Sequence, residues 1–484
     1  MQPFNRAYRI IFASGQRSFL VAITFLSLFI RIGFIIFASH PQAILSDPKQ
    51  TLLWEHGVIA NNLYTGHGFS MHWPYHSLDT AREAAMHKPP KWEGSFVAPL
   101  NPYLLYWCYV VFGESAAALY ALLILYALVS AFIPLTVFKL SLLLGGERSA
   151  RISTLIALLF LPGAYAVVTF SGSALFQFMG VVILFFATLS AVEPSWKSFL
   201  WLGLCCGIMI GLRSEFFFLG PILIVAALLL SARRNFHPSL LLQGVASIAI
   251  CLAVTVPWTV RNYELYHRFV PVVSHPWWEL WRGNNKLTAG TDRLPNGQPN
   301  WVNPVEYPRI IRRMDSIPYD RNFEGKVDLV FRSEVINFIE THPTHFLLLA
   351  GKKLFYFFTV DPNDLRSGNL FYWLPTLVMS FLIVLGLWCL LRDRTKREAA
   401  IPLLIFLAYY LFMTAMTLMQ VRYQMYVFTC MLPVTGLITE RTKRRGGVAI
   451  EVIELKKIPI MPTIGERPRH ARGELEDGHG ASQN

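Results

Sequence analysis

The chain has 484 residues, 54% of them hydrophobic and only 15% charged, and its formal net charge is +13. Soluble domains carry about 25% charged residues, and apolar runs of about 20 residues recur here, each long enough to cross a bilayer; a soluble multidomain protein is excluded. The basic residues stand in short clusters between the apolar runs, which points to membrane topology and anionic headgroups and away from nucleic acid.

The first apolar run, 18–39, follows Arg6, Arg9 and Arg17. It is longer than a signal-peptide core, and FASH at 37–40 is a weak match to a small-x-small cleavage site, so the run reads as a retained first span. Further spans are expected at 115–139, 150–168, 171–190, 197–212, 215–232, 240–260, 371–391, 398–419 and 424–440. Two shorter apolar stretches, 99–112 and 345–359, either lie in the interface or form re-entrant helices. The clusters at Lys139/Arg148/Arg151, Lys197, Arg233/Arg234, Arg392/Arg394/Lys396/Arg397 and Arg441/Lys443/Arg444/Arg445 then fall on one side, the cytoplasmic side by the positive-inside rule. Segments 40–114 and 261–370, with the turns near 213 and 422, fall on the other. The expected division is a membrane module over 1–440 and a disordered cytoplasmic tail over 441–484, whose end is polar and short of aromatics.

Segment 40–114 opens with DPKQTLLWEHGVIANNLYTGHGFS at 47–70. Asp47 and Glu55 stand eight residues apart, about two turns if the segment is helical. TLLWEHGVIANNLYTG reads as an amphipathic helix with Leu52, Leu53, Ile59 and Leu63 on its apolar face, closing on Gly66 and Gly68. A carboxylate there is either a solvated cap or a group that accepts a proton from an attacking hydroxyl. Downstream, His67, His72, His76 and His87 stand near Arg82 and Glu83, the one place where a divalent metal is weighed. HExxH, DxD and cysteine–histidine clusters are missing, and the six cysteines all fall in apolar stretches, against a disulfide framework.

GLRSE at 211–215 places Arg213 and Glu215 between two apolar runs with no room for a loop. Ionisable residues at membrane depth are costly and often functional; the alternative is a pair emerging at the interface. The segment 261–370 is too long for a connector and predicts a small folded subdomain. It brings Arg261 at a span end, then Asn284 and Asn285 in a tight GNN loop. Trp277, Trp278, Trp281 and Trp301 read as interfacial anchors or binding residues. Lys352 and Lys353 lie in the second short apolar stretch. Asp361 and Asp364 read as turn or helix caps. In QVRYQ at 420–424, Arg422 and Tyr423 occupy a short outer turn. A guanidinium there either clamps a phosphate or anchors the turn.

Taken in order, these motifs resemble the GT-C fold glycosyltransferases of family 39 type, which include the protein O-mannosyltransferases and the bacterial aminoarabinose transferases. The resemblance is carried by Asp47 after the first span, WEHGVIANNLYTGHGFS at 54–70, APLNPYLLYWCYVVFGES at 98–115, PWTVRNY at 257–263, LWRGNN at 280–285, HPTHFLLLAGKKLFYFF at 342–358 and VRYQ at 421–424. It implies an all-α polytopic GT-C protein of the plasma (inner) membrane with juxtamembrane helices and its active site on the extracytoplasmic face. It implies a polyprenyl-phosphate sugar as donor, membrane lipids as surroundings, and a hydroxyl on a glycan, lipid or protein as acceptor, with inversion in one displacement. Asp47 would orient or deprotonate the acceptor, with Glu55 as second acid. Arg422, Lys352, Lys353 and Arg213 would hold the donor phosphate. Glu215, Arg261, Asn284, Asn285 and Tyr423 are further substrate-binding candidates. No cofactor is implied. Many relatives carry adjacent acids after the first span; here Ser46 and Pro48 flank Asp47. A transporter or flippase, or a scaffold subunit, is the competing reading. A transporter is expected to show internal repeats and charges deep in its spans, and neither is apparent in the sequence.

Overall fold

The structure is a computed structural model that describes residues 15–46, 54–71, 92–297, 300 and 307–439. Asp47, Leu52, Leu53, His72, His76, His87, Trp301 and the expected tail 441–484 lie outside the described residues.

The described chain is helical. Helix α1 is Gln16–Ala38, followed by the short α2, Pro41–Ser46, and by α3, Trp54–Tyr64. Then come α4 (Leu100–Phe112), α5 (Ala116–Ser130), α6 (Ile133–Leu144), α7 (Glu147–Leu159) and α8 (Leu161–Tyr165). After them stand α9 (Ser173–Val192), α10 (Trp196–Leu212), α11 (Phe216–Arg234) and α12 (Pro238–Tyr266). The long segment that follows holds α13 (Pro276–Arg282), α14 (Pro308–Asp315), α15 (Phe323–Thr341) and α16 (Pro343–Phe358). The chain returns through α17 (Leu370–Arg392), α18 (Arg394–Met416) and α19 (Val421–Thr435).

Among the described residues, seven helices are long and apolar enough to cross a membrane, or eight if the bent pair α7–α8 is one span. Three expected spans differ in form. The pair α7–α8 bends by 57°. The chain leaves helical geometry at Phe160, and Pro162 follows with no amide hydrogen to continue the ladder. The apolar α10 has only 17 residues. The last span is the 15-residue α19, which carries Pro433 and passes into a 3-10 turn at Gly436–Thr439.

The absence of deep charge expected from the sequence is corrected by Arg31. It is buried within α1 at 4% exposure. Its Nε donates to Ser130 Oγ at 2.8 Å, and Nη1 donates to Ser27 Oγ at 2.6 Å and to the Ser27 carbonyl at 3.2 Å. The bond to Ser130 joins α1 to α5, which is how polar groups are used between helices in hydrocarbon.

The main core fills the helix bundle and includes Tyr126, Phe199, Phe216, Phe406 and Phe428. A second core forms in the expected subdomain, from Phe96, Trp278, Trp281, Tyr307, Ile311 and Phe331. Trp281 stands edge-on to Tyr307 at 4.8 Å and tilted against Phe331 at 5.2 Å. Trp278 and Trp281 are therefore core residues; the expectation of anchors or binding residues missed that α13 is too short to bury them alone and needs α15 behind it.

Candidate functional site

Helix α3 is the first element of the site. It carries Glu55 in its first turn, a favourable end of the helix dipole for a carboxylate. Two left-handed glycines, Gly66 and Gly68, turn the chain out of it at φ 83° and 72°, where a side chain would be strained. Asn62 then ties the exit down by donating to the Ser70 carbonyl at 2.7 Å. The inward face holds Ile59 and Ala60, both fully buried, and between them and Glu55 lies His56. Glu55 is half-buried.

His56 was not singled out by its sequence, and it is the most informative residue on the helix. It is 8% exposed, and its Nδ1 is buried without a hydrogen-bond partner among the described residues. Burial first, then the charges of Arg422 and Arg213, together lower its pKa to about 3. The ring is neutral at working pH, with one nitrogen able to donate and the other to accept. That both guanidiniums act on this ring brings α3, the α10–α11 turn and the start of α19 to one place.

The α10–α11 turn supplies a buried ion pair. Arg213 donates to Glu215 Oε1 from Nε at 2.7 Å and from Nη2 at 2.5 Å, with the two side chains 10% and 15% exposed. Tyr410 Oη donates to the same carboxylate oxygen at 3.3 Å, and Tyr409 Oη donates to the Glu215 carbonyl at 2.9 Å. The Arg213 guanidinium lies over Phe176 at 4.9 Å and over Tyr423 at 4.3 Å. The pair is thus fixed by three helices.

Arg422 also approaches Tyr423, 5.4 Å from its ring centre. Its Nε donates to Gln420 Oε1 at 2.6 Å. Among the described residues no carboxylate pairs with it, so its two Nη groups keep their donors. A planar fork with free donors beside a neutral imidazole and a pre-paired arginine is suited to a tetrahedral anion.

Of the remaining candidates, Lys353, Asn284, Asn285 and Arg261 bond to groups of the fold itself. Lys353 is fully buried and donates to Asn284 Oδ1 at 2.8 Å and to the Ala415 carbonyl at 3.0 Å. Burial lowers its pKa to about 7. Asn284 Nδ2 donates to the carbonyls of Leu280 and Met416 at 2.7 and 2.6 Å. Asn285 Oδ1 receives the amides of Leu287 and Thr288, each at 3.0 Å. Arg261 pairs with Glu93 at 2.6 Å, donates to the Gly94 carbonyl at 2.7 Å and lies over Trp258 at 4.6 Å. Lys352 is exposed and stands 5.4 Å from the Tyr356 ring. Asp361 and Asp364 do cap turns, receiving the amides of Asn363 and Arg366. Among the described residues no group of three or more histidine, cysteine or acidic side chains is placed to hold a metal ion. His67 bonds the Thr65 hydroxyl at 2.9 Å.

No family model matches the chain, and no curated protein matches it in sequence. Among solved structures it is similar to the archaeal oligosaccharyltransferase AglB from Archaeoglobus fulgidus in complex with an inhibitory peptide and a dolichol-phosphate. The identity is 12% and the TM-score 0.49, over 87% of this chain and 50% of that one. It is similar to the same organism's oligosaccharyltransferase tethered with an acceptor peptide containing the NVT sequon, at 13% identity and TM-score 0.49, over 87% and 49% of the two chains. It is also similar to ArnT from Cupriavidus metallidurans bound to undecaprenyl phosphate, at 13% identity and TM-score 0.39, over 88% and 78%. The chain spans about half the length of the oligosaccharyltransferase chains it matches.

Proposed function

We propose that this chain is a GT-C membrane glycosyltransferase that moves a sugar from a polyprenyl phosphate to an acceptor hydroxyl, on the outer face of the plasma membrane. The observation that carries the reading is the convergence of Arg422, whose Nη donors are unpaired among the described residues, the Arg213–Glu215 pair and the buried His56 at the ends of apolar helices. A lipid-linked phosphate reaches such a place from the bilayer side, with its chain left among the spans. The order of the motifs along the sequence supports the same reading.

In this reaction the acceptor oxygen bonds to the anomeric carbon as the bond from that carbon to the phosphate oxygen breaks. The electron pair leaves with the polyprenyl phosphate, and the acceptor proton passes to the Asp47 carboxylate. The leaving group is already anionic, so fixed cations matter more than a proton donor at that oxygen. Arg422 is assigned to the phosphate, with Arg213 behind it and Lys352 at the exposed side. Glu55, on the first turn of α3, is assigned to the acceptor.

The test is sugar transfer by the purified protein in lipid nanodiscs, with polyprenyl-phosphate sugars as donors, alongside mass analysis of glycans and glycolipids in a deletion strain. Loss of one sugar decoration in the strain, restored by the protein, is expected. A flippase would instead leave transfer undetectable while polyprenyl-linked glycans build up on one leaflet.

A further inference from the structure

Helix α16 turns one face inward through Leu349, Lys353 and Phe357, spaced four residues apart. From that face it grips the chain on both sides of Arg422. Upstream, the Lys353 ammonium holds the Ala415 carbonyl in the last turn of α18, and Asn284 Oδ1 in the GNN loop. Downstream, Gln424 Nε2 donates to the carbonyls of Phe357 and Thr359 at 2.7 and 3.0 Å, where α16 ends. Tyr372 Oη donates to the Gln424 Oε1 at 3.3 Å.

The GNN loop closes on the same stretch. Asn284 donates to the carbonyls of Met416 and Thr417 at 2.6 and 3.3 Å. A Cβ on Gly283 would overlap the Thr417 carbonyl, so this approach requires glycine. Met419 donates its amide to the Gly290 carbonyl at 3.1 Å, and Thr291 pairs with Met419 in an isolated parallel bridge. A lysine with no carboxylate among its described partners is an expensive strut, since a buried ammonium loses its hydration. Its place at a helix C-terminus, bonding a last-turn carbonyl, offsets part of that cost. A hydrophobic side chain could fill the space but could not join α18 to the loop.

We propose that Lys353 is a positioning residue for Arg422: by pinning the end of α18 to the GNN loop it sets the guanidinium where the anionic ligand binds, and it does not touch that ligand itself. This rests on the reading of Arg422 as a phosphate ligand.

The experiment compares Lys353→Met, Lys353→Arg, Arg422→Ala and the Lys353→Met/Arg422→Ala double variant in nanodiscs. It reads undecaprenyl phosphate affinity and hydrogen exchange over residues 415–424. Lys353→Met is expected to speed exchange over this stretch and weaken binding about tenfold, with Lys353→Arg recovering most of both. The double variant is expected to bind within about twofold of Arg422→Ala alone, because a positioning residue has nothing left to position. Unchanged exchange overturns the inference, and so does an additive loss in the double variant, which would mean Lys353 meets the ligand directly. If Arg422→Ala binds as the parent does, the phosphate reading fails, and exchange alone then decides for or against Lys353. Should Lys353→Met not fold, Lys353→Gln, which retains amide donors, replaces it.

Discussion

The subdomain around α13 and the rim formed by α3, the α10–α11 turn and the start of α19 are both rich in polar side chains, and they use them in opposite ways. In the subdomain most of the polar groups are consumed by folding, although Arg282 Nε is buried without a hydrogen-bond partner among the described residues. Asn284 and Asn285 bind loop carbonyls and amides, Asn262 donates to the carbonyls of Val270 and Val272, and Glu324 receives Tyr266 Oη, Ser274 Oγ and the Ser95 amide. At the rim, among the described residues, Arg422 keeps donors unpaired and His56 buries a nitrogen with no hydrogen-bond partner. Leaving a buried polar atom unmet costs about 1–3 kcal/mol; such atoms occur elsewhere among the described residues too, and what sets the rim apart is that its unmet imidazole nitrogen lies where two guanidiniums act on it. Regions of that kind are where ligands supply the missing partners.

The sharpest way to break this comparison is at Asp47, to which the proposed reaction gives the acceptor proton. Asp47→Asn is expected to abolish transfer while leaving lipid phosphate binding near that of the parent. Full transfer in that variant would remove Asp47 from proton acceptance, and a binding loss equal to the transfer loss would recast it as a structural cap. Arg422→Ala comes next. Charge-assisted hydrogen bonds contribute about 1.5–3 kcal/mol each, so lipid phosphate affinity is expected to fall at least about tenfold, with acceptor affinity unchanged. Equal losses for both ligands would count against a phosphate clamp.

His56 sharpens the contrast instead of testing the chemistry. Replacing it with leucine removes the unmet nitrogen and keeps the volume roughly constant, a swap that costs a packed core little. The expected outcome is a melting temperature equal to or above the parent's, together with reduced transfer. A variant that is both unstable and inactive would show that the imidazole is held by a structural partner, and the rim would lose its distinction from the subdomain.

The apolar runs were legible because bilayer thickness sets their length, and α3 was legible because its apolar residues recur at helical spacing and end on two glycines. Arg213, Glu215 and Arg422 stood out as ions among apolar residues. His56 did not, because one histidine beside a glutamate on an amphipathic helix gives no sign of which way it faces; only the packing of α3 turns it inward. Lys353 misled for the related reason that a lysine pair looks like an anion site. The α16 register sends Lys352 to the surface and Lys353 into the interior, and sequence spacing could not choose between them. Likewise, the tryptophans of α13 resemble an interfacial belt until α15 is packed against them.

The smallest expected effect lies in the subdomain, at Asp328. This carboxylate is 6% exposed and accepts the amides of Trp277 and Trp278 at 3.0 and 3.1 Å, capping the start of α13 from across the fold. Burial raises its pKa from 3.8 to about 7, and the two amides only partly oppose that rise. Between those values the unfolded chain has released its proton while the folded chain retains it. Fewer protons are then bound in the unfolded state, so stability falls as pH rises through this window and levels off above about 7. Asp328→Asn preserves the acceptor oxygen for both amides and removes the charge. It is expected to leave the α13 cap in place and abolish Asp328's part of that pH slope, measured as hydrogen exchange of the Trp277 and Trp278 amides from about pH 4 to about pH 8 with the intrinsic pH dependence of exchange removed. An unchanged slope in the variant would show that the carboxylate is already charged in the folded protein across this range and held so by its donors. In that case the subdomain, and not only the rim, would contain a buried ionised group, with the Arg268 charge acting on it.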